Sequence, residues 1–321
     1  MFAVRGIAVS FAIFFILYSS LSVLVCVLWR RVWHYGQQRS PRYCADLLFG
    51  LRIVPFVAAA VVTLALAVPS FLLLEPRAVR ESTSIAALGL GFCGILLMLA
   101  GAWKAAAALV RASRTIARWS SEASAIGCSP IGSAKSISVL RAPASAVPLV
   151  VAGILRPRLW LSSAAEFVLT DHELRSALQH EVVHVRRWDN LRKLILCLVP
   201  FPGMAHLETA WREATEMAAD DAAVSTASEA LDLAAAVIKL SRIVPLEFPN
   251  ELTTALVHSP GQSVNARVER LIAWRERQQS PANRDSFGYT LYPMAAMLVA
   301  MTIYYSQLLV QVHAATEWLV R

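Results

Sequence analysis

Residues 6–29, GIAVSFAIFFILYSSLSVLVCVLW, carry no charged side chain and end at Arg30-Arg31. A helix rises about 1.5 Å per residue, so a run of this length suits the roughly 30 Å hydrocarbon core of a bilayer. It is too long for the apolar core of a signal peptide, and no small-residue cleavage site follows it, so the reading is a retained transmembrane helix. Three more such runs lie at about 53–74, 84–103 and 289–310. Pro55 and Pro69 sit near the ends of the second, where a membrane helix tolerates them. Lys104 can snorkel from the end of the third, and tyrosines flank the fourth at the level expected of interfacial anchors.

Composition agrees with this placement. The chain is 57% hydrophobic and 16% charged, with a mean hydropathy of +0.53; a soluble domain carries about 25% charged residues. The net charge of +8 comes without a nucleic-acid-binding motif, so a nucleic-acid partner is not expected. The basic residues cluster beside the apolar runs instead. Arg30, Arg31, Arg39, Arg42 and Arg52 lie between the first two runs against Asp46 alone, and Lys104, Arg111, Arg114 and Arg118 follow the third with no acid among them. Between the second and third runs, Arg77 and Arg80 are balanced by Glu75 and Glu81. The positive-inside rule then puts the first loop and the segment after the third run in the cytoplasm. Both termini are expected outside, in a multi-pass protein of a bacterial cytoplasmic membrane, with the lipid bilayer as a partner.

Three parts follow. Residues 1–104 form a membrane part with three helices, residues 105–286 a cytoplasmic domain, and residues 287–321 a fourth transmembrane helix with a short external tail. Within the cytoplasmic domain SISVL (136–140), PLVVAG (148–153) and RLWLSS (158–163) are short and β-prone, and the expectation is a small antiparallel sheet. Residues 170–190 read as one helix, because Thr170 with Glu173 three residues on makes a capping box. Further helices are expected over 205–226, 228–243 and 264–278. Residues 191–204, broken by Pro200 and Pro202, are too short to span a bilayer and read as a core element or a membrane-facing one. The five cysteines include no CxxC pair and give no reason to expect a disulfide or a cysteine metal site.

The chemistry lies in ALQHEVVHVRRWDN, residues 177–190. On a helix, His180 and His184 share a face one turn apart and can aim two imidazole nitrogens at one metal ion. Glu181 beside them can take a proton from water activated by that ion, without being a ligand. Imidazole donors point to Zn2+, one ion, with other transition metals as alternatives. A catalytic zinc site needs a third protein ligand. Downstream, Glu213, Glu216 and Asp220 run along one helical face among alanines and methionine, and buried carboxylates need partners. Glu216 is the candidate third ligand, and Asp220 one turn on is a candidate orienter of a ligating histidine. His172 is expected exposed. His206 and Arg212 are weaker candidates for contact with the metal or a substrate oxyanion.

These residues resemble the BlaR/MecR-type membrane metallopeptidases. The resemblance spans most of residues 1–312 and rests on GILRPRLWLS, LQHEVVHVRRWDNL and EMAADDAAV. The family's Gly-x-x-x-Pro strand is matched by Gly153 and Pro157, its HExxHxxRxD helix by His180, Glu181, His184, Arg187 and Asp189, and its later ExxxD element by Glu216 and Asp220. Ala219 stands where the family usually has Cys. The resemblance implies a gluzincin-type fold, a mainly α membrane protein of four transmembrane helices with a cytoplasmic α+β zinc peptidase domain. It also implies supporting roles for Arg187 and Asp189 around the ligands. The implied substrate is a protein or peptide, with a transcriptional repressor as one form, bound by strand addition for which residues 158–163 are the candidate edge. The C-terminal penicillin-binding sensor domain of the signalling members is not expected here, and β-lactam sensing does not carry over; a separate sensor protein and homodimerisation stay open. A more distant similarity is to HtpX-like quality-control peptidases, and a catalytically inactive membrane scaffold is the alternative outside the enzymes.

Overall fold

The computed structural model describes residues 2–75, 84–122, 124–132, 135–142, 148–243, 253–255, 262–274 and 304–320. Three helices among these are long and apolar enough to cross a membrane: α1 (Phe2–Gln37), α2 (Pro41–Leu74) and α3 (Ile85–Glu122). Each outruns its apolar segment. α3 continues without a break through residue 104, so the apolar helices run into the sheet-bearing part along one continuous helix rather than through a linker.

The three helices pack closely because small residues let their backbones meet. A Cβ added at Gly91 or Gly94 of α3 would press on the carbonyl oxygens of Ala8 and Phe11 in α1. Small residues one helical turn apart are how membrane helices gain packing contacts when lipid supplies no hydrophobic drive. At one end of the bundle Arg5 pairs with Glu75 at 2.7 Å. Within α2, residues Thr63–Ala67 form a π-helical turn just ahead of Pro69. Proline has no N–H and crowds the carbonyl four residues back; that carbonyl, Ala65 O, accepts a hydrogen bond from Tyr305 Oη at 2.9 Å.

Tyr305 opens a helix, Tyr305–Val320, that packs on this turn. Helix therefore extends through the expected tail. Most of the fourth apolar run, residues 289–303, lies outside the described residues.

The sheet-bearing part begins after α3. Strands β1 (Ser124–Gly132), β2 (Lys135–Ala142), β3 (Leu149–Ala152), β4 (Arg158–Ser162) and β5 (Thr253–Ala255) make a five-stranded sheet in the order β1-β2-β4-β3-β5. The sheet is mixed, not antiparallel as expected: β2 pairs with β4 in parallel, while the other neighbours are antiparallel. β3 and β4 form a hairpin and β3 occupies the far side of β4, so β2 can only add to the remaining edge, where its direction matches that of β4. This order also corrects the expected substrate edge. β4 is bonded on both sides, and the edges are β1 and β5. Gly153–Pro157 is the hairpin turn rather than a strand, with Gly153 at φ +103° beneath Arg156 O, where a side chain would be strained and crowded.

Helices α4 (Ser163–Val168), α5 (Asp171–Arg186), α6 (Asp189–Leu198), α7 (Ala205–Ala223), α8 (Ala227–Ser241) and α9 (Gln262–Ile272) complete the described fold. α5 starts at the capping box expected from Thr170 and Glu173, and α8 starts at a second one, Thr226 with Glu229. One face of the sheet and helices α5, α7, α8 and α9 share a core that includes Leu149, Val151, Leu159, Leu161, Ala177 and Leu233. A second core joins the sheet-bearing part to the long helices, with Leu48 and Ala45 of α2 against Trp211 and Ala214 of α7. The chain from Asp189 to Met204 is part of this junction. α6 has 10 residues, too few to cross a bilayer, and packs along α3. At its end Val199 O and Pro200 O accept hydrogen bonds from Tyr18 Oη at 3.1 and 3.0 Å.

Candidate metal centre

His180 and His184 face inward from α5 at 0% and 2% exposure, and Glu216 reaches them from α7. The two Nε2 atoms stand 3.1 Å apart. His180 Nε2 lies 3.5 Å from Glu216 Oε2, and His184 Nε2 lies 3.6 Å from Glu216 Oε1. Donors placed about 2.1 Å from a tetrahedral zinc ion are about 3.4 Å from one another. The three sequence-proposed ligands therefore form a group that could hold a metal ion.

The other ring nitrogens say how these donors are presented. His184 Nδ1 is 2.7 Å from Asp189 Oδ2, and His180 Nδ1 is 3.0 Å from Asp220 Oδ1, in a contact bent away from the ring N–H direction. A carboxylate beside each Nδ1 favours the tautomer that carries its proton there, leaving the lone pair on Nε2. Two lone pairs then face each other at hydrogen-bond distance, with a carboxylate alongside. Such a set requires a cation or a proton at its centre. The His180 imidazole shows the same demand: burial pushes it down, but Asp220 and Glu216 outweigh burial and hold it at about 9.

Asp189 reaches His184 through a break in the expected helix. Five residues along an unbroken helix, its side chain would point about 140° away from that of His184. Trp188 instead adopts φ 58°, ψ 36°, in the left-handed region, ending α5 and starting α6 in a new direction. The 170–190 helix is thus two helices, and the turn between them brings Asp189 back to the histidine. Arg187 stands 3.7 Å from both Asp189 Oδ1 and Asp46 Oδ1, and Arg192 holds Asp46 at 2.6 Å. Asn190 Nδ2 donates to Gly153 O at 3.1 Å, tying the same turn to the β3–β4 hairpin.

Arg267 of α9 completes the centre. Its Nε and Nη2 donate to Asp220 Oδ2 and Oδ1 at 2.8 and 2.7 Å, and its Nη1 lies 3.1 Å from Glu216 Oε2. It is 3% exposed. Burial would raise both carboxylates, but Arg267 and the histidines prevail: Asp220 falls to about 2, and Glu216 is held well below the ordinary carboxylate range. No motif marks Arg267 in the sequence. Arg270 three residues on and Glu269 between them make it read as one of several charges on an amphipathic helix.

Glu181 is fully buried beside the histidines. Burial pushes its carboxyl up to about 7 against the opposing pull of His184 and His180. Lys193 of α6 lies within electrostatic reach of Glu216, Asp189 and Glu181; burial lowers its ammonium, and those acids counter it. The remaining candidates are elsewhere. Glu213 and His172 are exposed. His206 is exposed at the start of α7, about 15 Å along the helix axis from Glu216. Arg212, one turn before Glu216, is exposed and lines a cavity shared with Lys193.

Comparison of the sequence with known protein-family models and with curated proteins finds no match.

Proposed function

We propose that the protein is an integral-membrane zinc-dependent endopeptidase. The observation that carries this reading is the convergence of His180 Nε2, His184 Nε2 and Glu216 at tetrahedral spacing, with Glu181 buried at their side. Zinc held by these three would act as a Lewis acid toward a scissile carbonyl and acidify water next to it. Glu181 would accept the proton of the attacking water and deliver it to the leaving amine. Asp220 and Asp189 would fix the histidine tautomers and aim their Nε2 atoms, and Arg267 would neutralise the excess of carboxylate. The proposed substrate is a protein at the membrane surface, a repressor-like one by the family resemblance, with the centre on the cytoplasmic side according to the arginine-rich loops.

The test is purified protein in detergent. Glu181→Gln should retain stoichiometric zinc and lose cleavage of a protein substrate, whereas His184→Ala should lose the metal. Full proteolysis by the Glu181→Gln protein would overturn the assignment.

A further inference from the structure

A cavity of about 560 Å³ opens between α2, α3, α6 and the start of α7, apart from the three proposed ligands. Five basic side chains line it, Arg52, Lys104, Arg111, Lys193 and Arg212, against the single acid Glu208. Glu208 is already engaged, accepting from Arg52 Nε at 3.1 Å. Arg52 is 1% exposed, and its Nη2 donates to Val199 O. Arg52 is thus held in place by Glu208 and Val199 O. The cavity offers a basic lining on a fixed frame, the pattern that suits a phosphate group.

The position favours a phosphate carried by a lipid. Lys104 directly follows the third apolar run, and Arg52 directly precedes the second. On α3, Phe92, Leu96, Leu99 and Trp103 are 60%, 48%, 60% and 76% exposed and lie on one face. The same face continues into the cavity at Ala107 and Arg111. An apolar stripe of about one leaflet's height therefore leads straight to the basic cavity, with an exposed tryptophan at the level where headgroups begin. We propose that this cavity seats the phosphate-bearing headgroup of an anionic lipid, with its acyl chains lying along the α3 stripe.

The experiment titrates the full chain in detergent with phosphatidylglycerol, phosphatidylcholine and soluble glycerol phosphate, reading bound mass by native mass spectrometry. Phosphatidylglycerol should bind selectively, with glycerol phosphate much weaker. The double variant Lys104→Gln/Arg212→Gln, at two exposed positions, should weaken phosphatidylglycerol roughly thirty-fold, as expected for two cations acting on one headgroup. Its thermal midpoint serves as the folding control. Trp103→Ala should weaken the lipid and leave glycerol phosphate unchanged. Equal binding of the two lipids, or an unaffected double variant with normal folding, overturns the proposal. Glycerol phosphate binding as tightly as phosphatidylglycerol overturns the lipid as the source. So does an acidic peptide that binds with the double variant's sensitivity while phosphatidylglycerol does not.

Discussion

Arg267→Met is the most informative single change. It removes the one cation that grips Asp220 through two hydrogen bonds of 2.7 and 2.8 Å and stands 3.1 Å from Glu216, while keeping an apolar side chain of similar length. Asp220 is 1% exposed, so water cannot take the cation's place. Removing one partner of a buried ion pair costs about 3–5 kcal/mol, because the other is left charged and desolvated. That is a large share of the roughly 5–15 kcal/mol that holds a typical domain together. Taking about 3 °C per kcal/mol, the thermal midpoint in detergent should fall by about 10 °C. Added zinc should recover part of the loss, since an ion at the centre offsets the surplus negative charge of Glu216 and binds only the folded site. Arg267→Met/Asp220→Asn should lose less than the sum of the single changes, with coupling on the order of 2 kcal/mol. A midpoint within about 3 °C of the parent, or strict additivity in the cycle, would refute the view of Arg267 as the counter-charge of the centre.

Asp189→Asn should lower zinc affinity about 10–100-fold in a chelator competition, because the amide no longer anchors His184 Nδ1 as a charged acceptor 2.7 Å away; undiminished affinity would refute an orienting role. Gly94→Leu should separate α1 from α3, since even a Cβ there presses on Phe11 O, and the readout is a lowered thermal midpoint with unchanged metal content once folded. Glu173 accepts from Thr170 N at 2.8 Å and pairs with Lys239 at 2.7 Å; burial alone would raise its pKa, but these contacts hold it below the ordinary carboxylate value. Because the folded pKa is depressed, the stabilisation is present above the unfolded value of about 4.3 and is lost as pH falls through the folded one. Glu173→Gln should therefore cost about 1 kcal/mol at neutral pH and converge with the parent in acid; a gap that widens in acid would refute the sign.

What the sequence discloses about this centre is what one helix or one span can encode. The spacing of His180 and His184, the capping box at Thr170, and Glu216 with Asp220 one turn apart are all periodicities within a single element. They place three donors on two helices, and the structure brings those helices together. The parallel pairing of β2 with β4 is different. Alternation reports which residues face a core, but it is the same for a strand added in either direction. Trp188 is different again, because a bulky residue in the left-handed region runs against its own preference at a cost of about 1–2 kcal/mol. Only the surrounding contacts enforce it, Asp189 on His184 and Asn190 on Gly153 O among them.

Arg267 is the limiting case, lying 47 residues beyond the acid it holds. The reason it must exist can still be derived. Glu216, Asp220, Asp189 and Glu181 bring four carboxyl groups around two imidazoles in a space that is nearly dry. One divalent ion would supply two positive charges, and Arg187 stands 3.7 Å from Asp189. Asp220 and Glu216 face Arg267, and a buried guanidinium is the group best able to match them, since it stays charged and offers a forked set of donors. On this count the proposed metal and Arg267 belong to one charge balance. Without a cation at position 267 a metal ion would have to carry more of that balance, so the Arg267→Met protein should depend on zinc for its stability more than the parent does. Arg267→Met combined with a new arginine on a neighbouring α9 turn that reaches Asp220 should relieve that dependence.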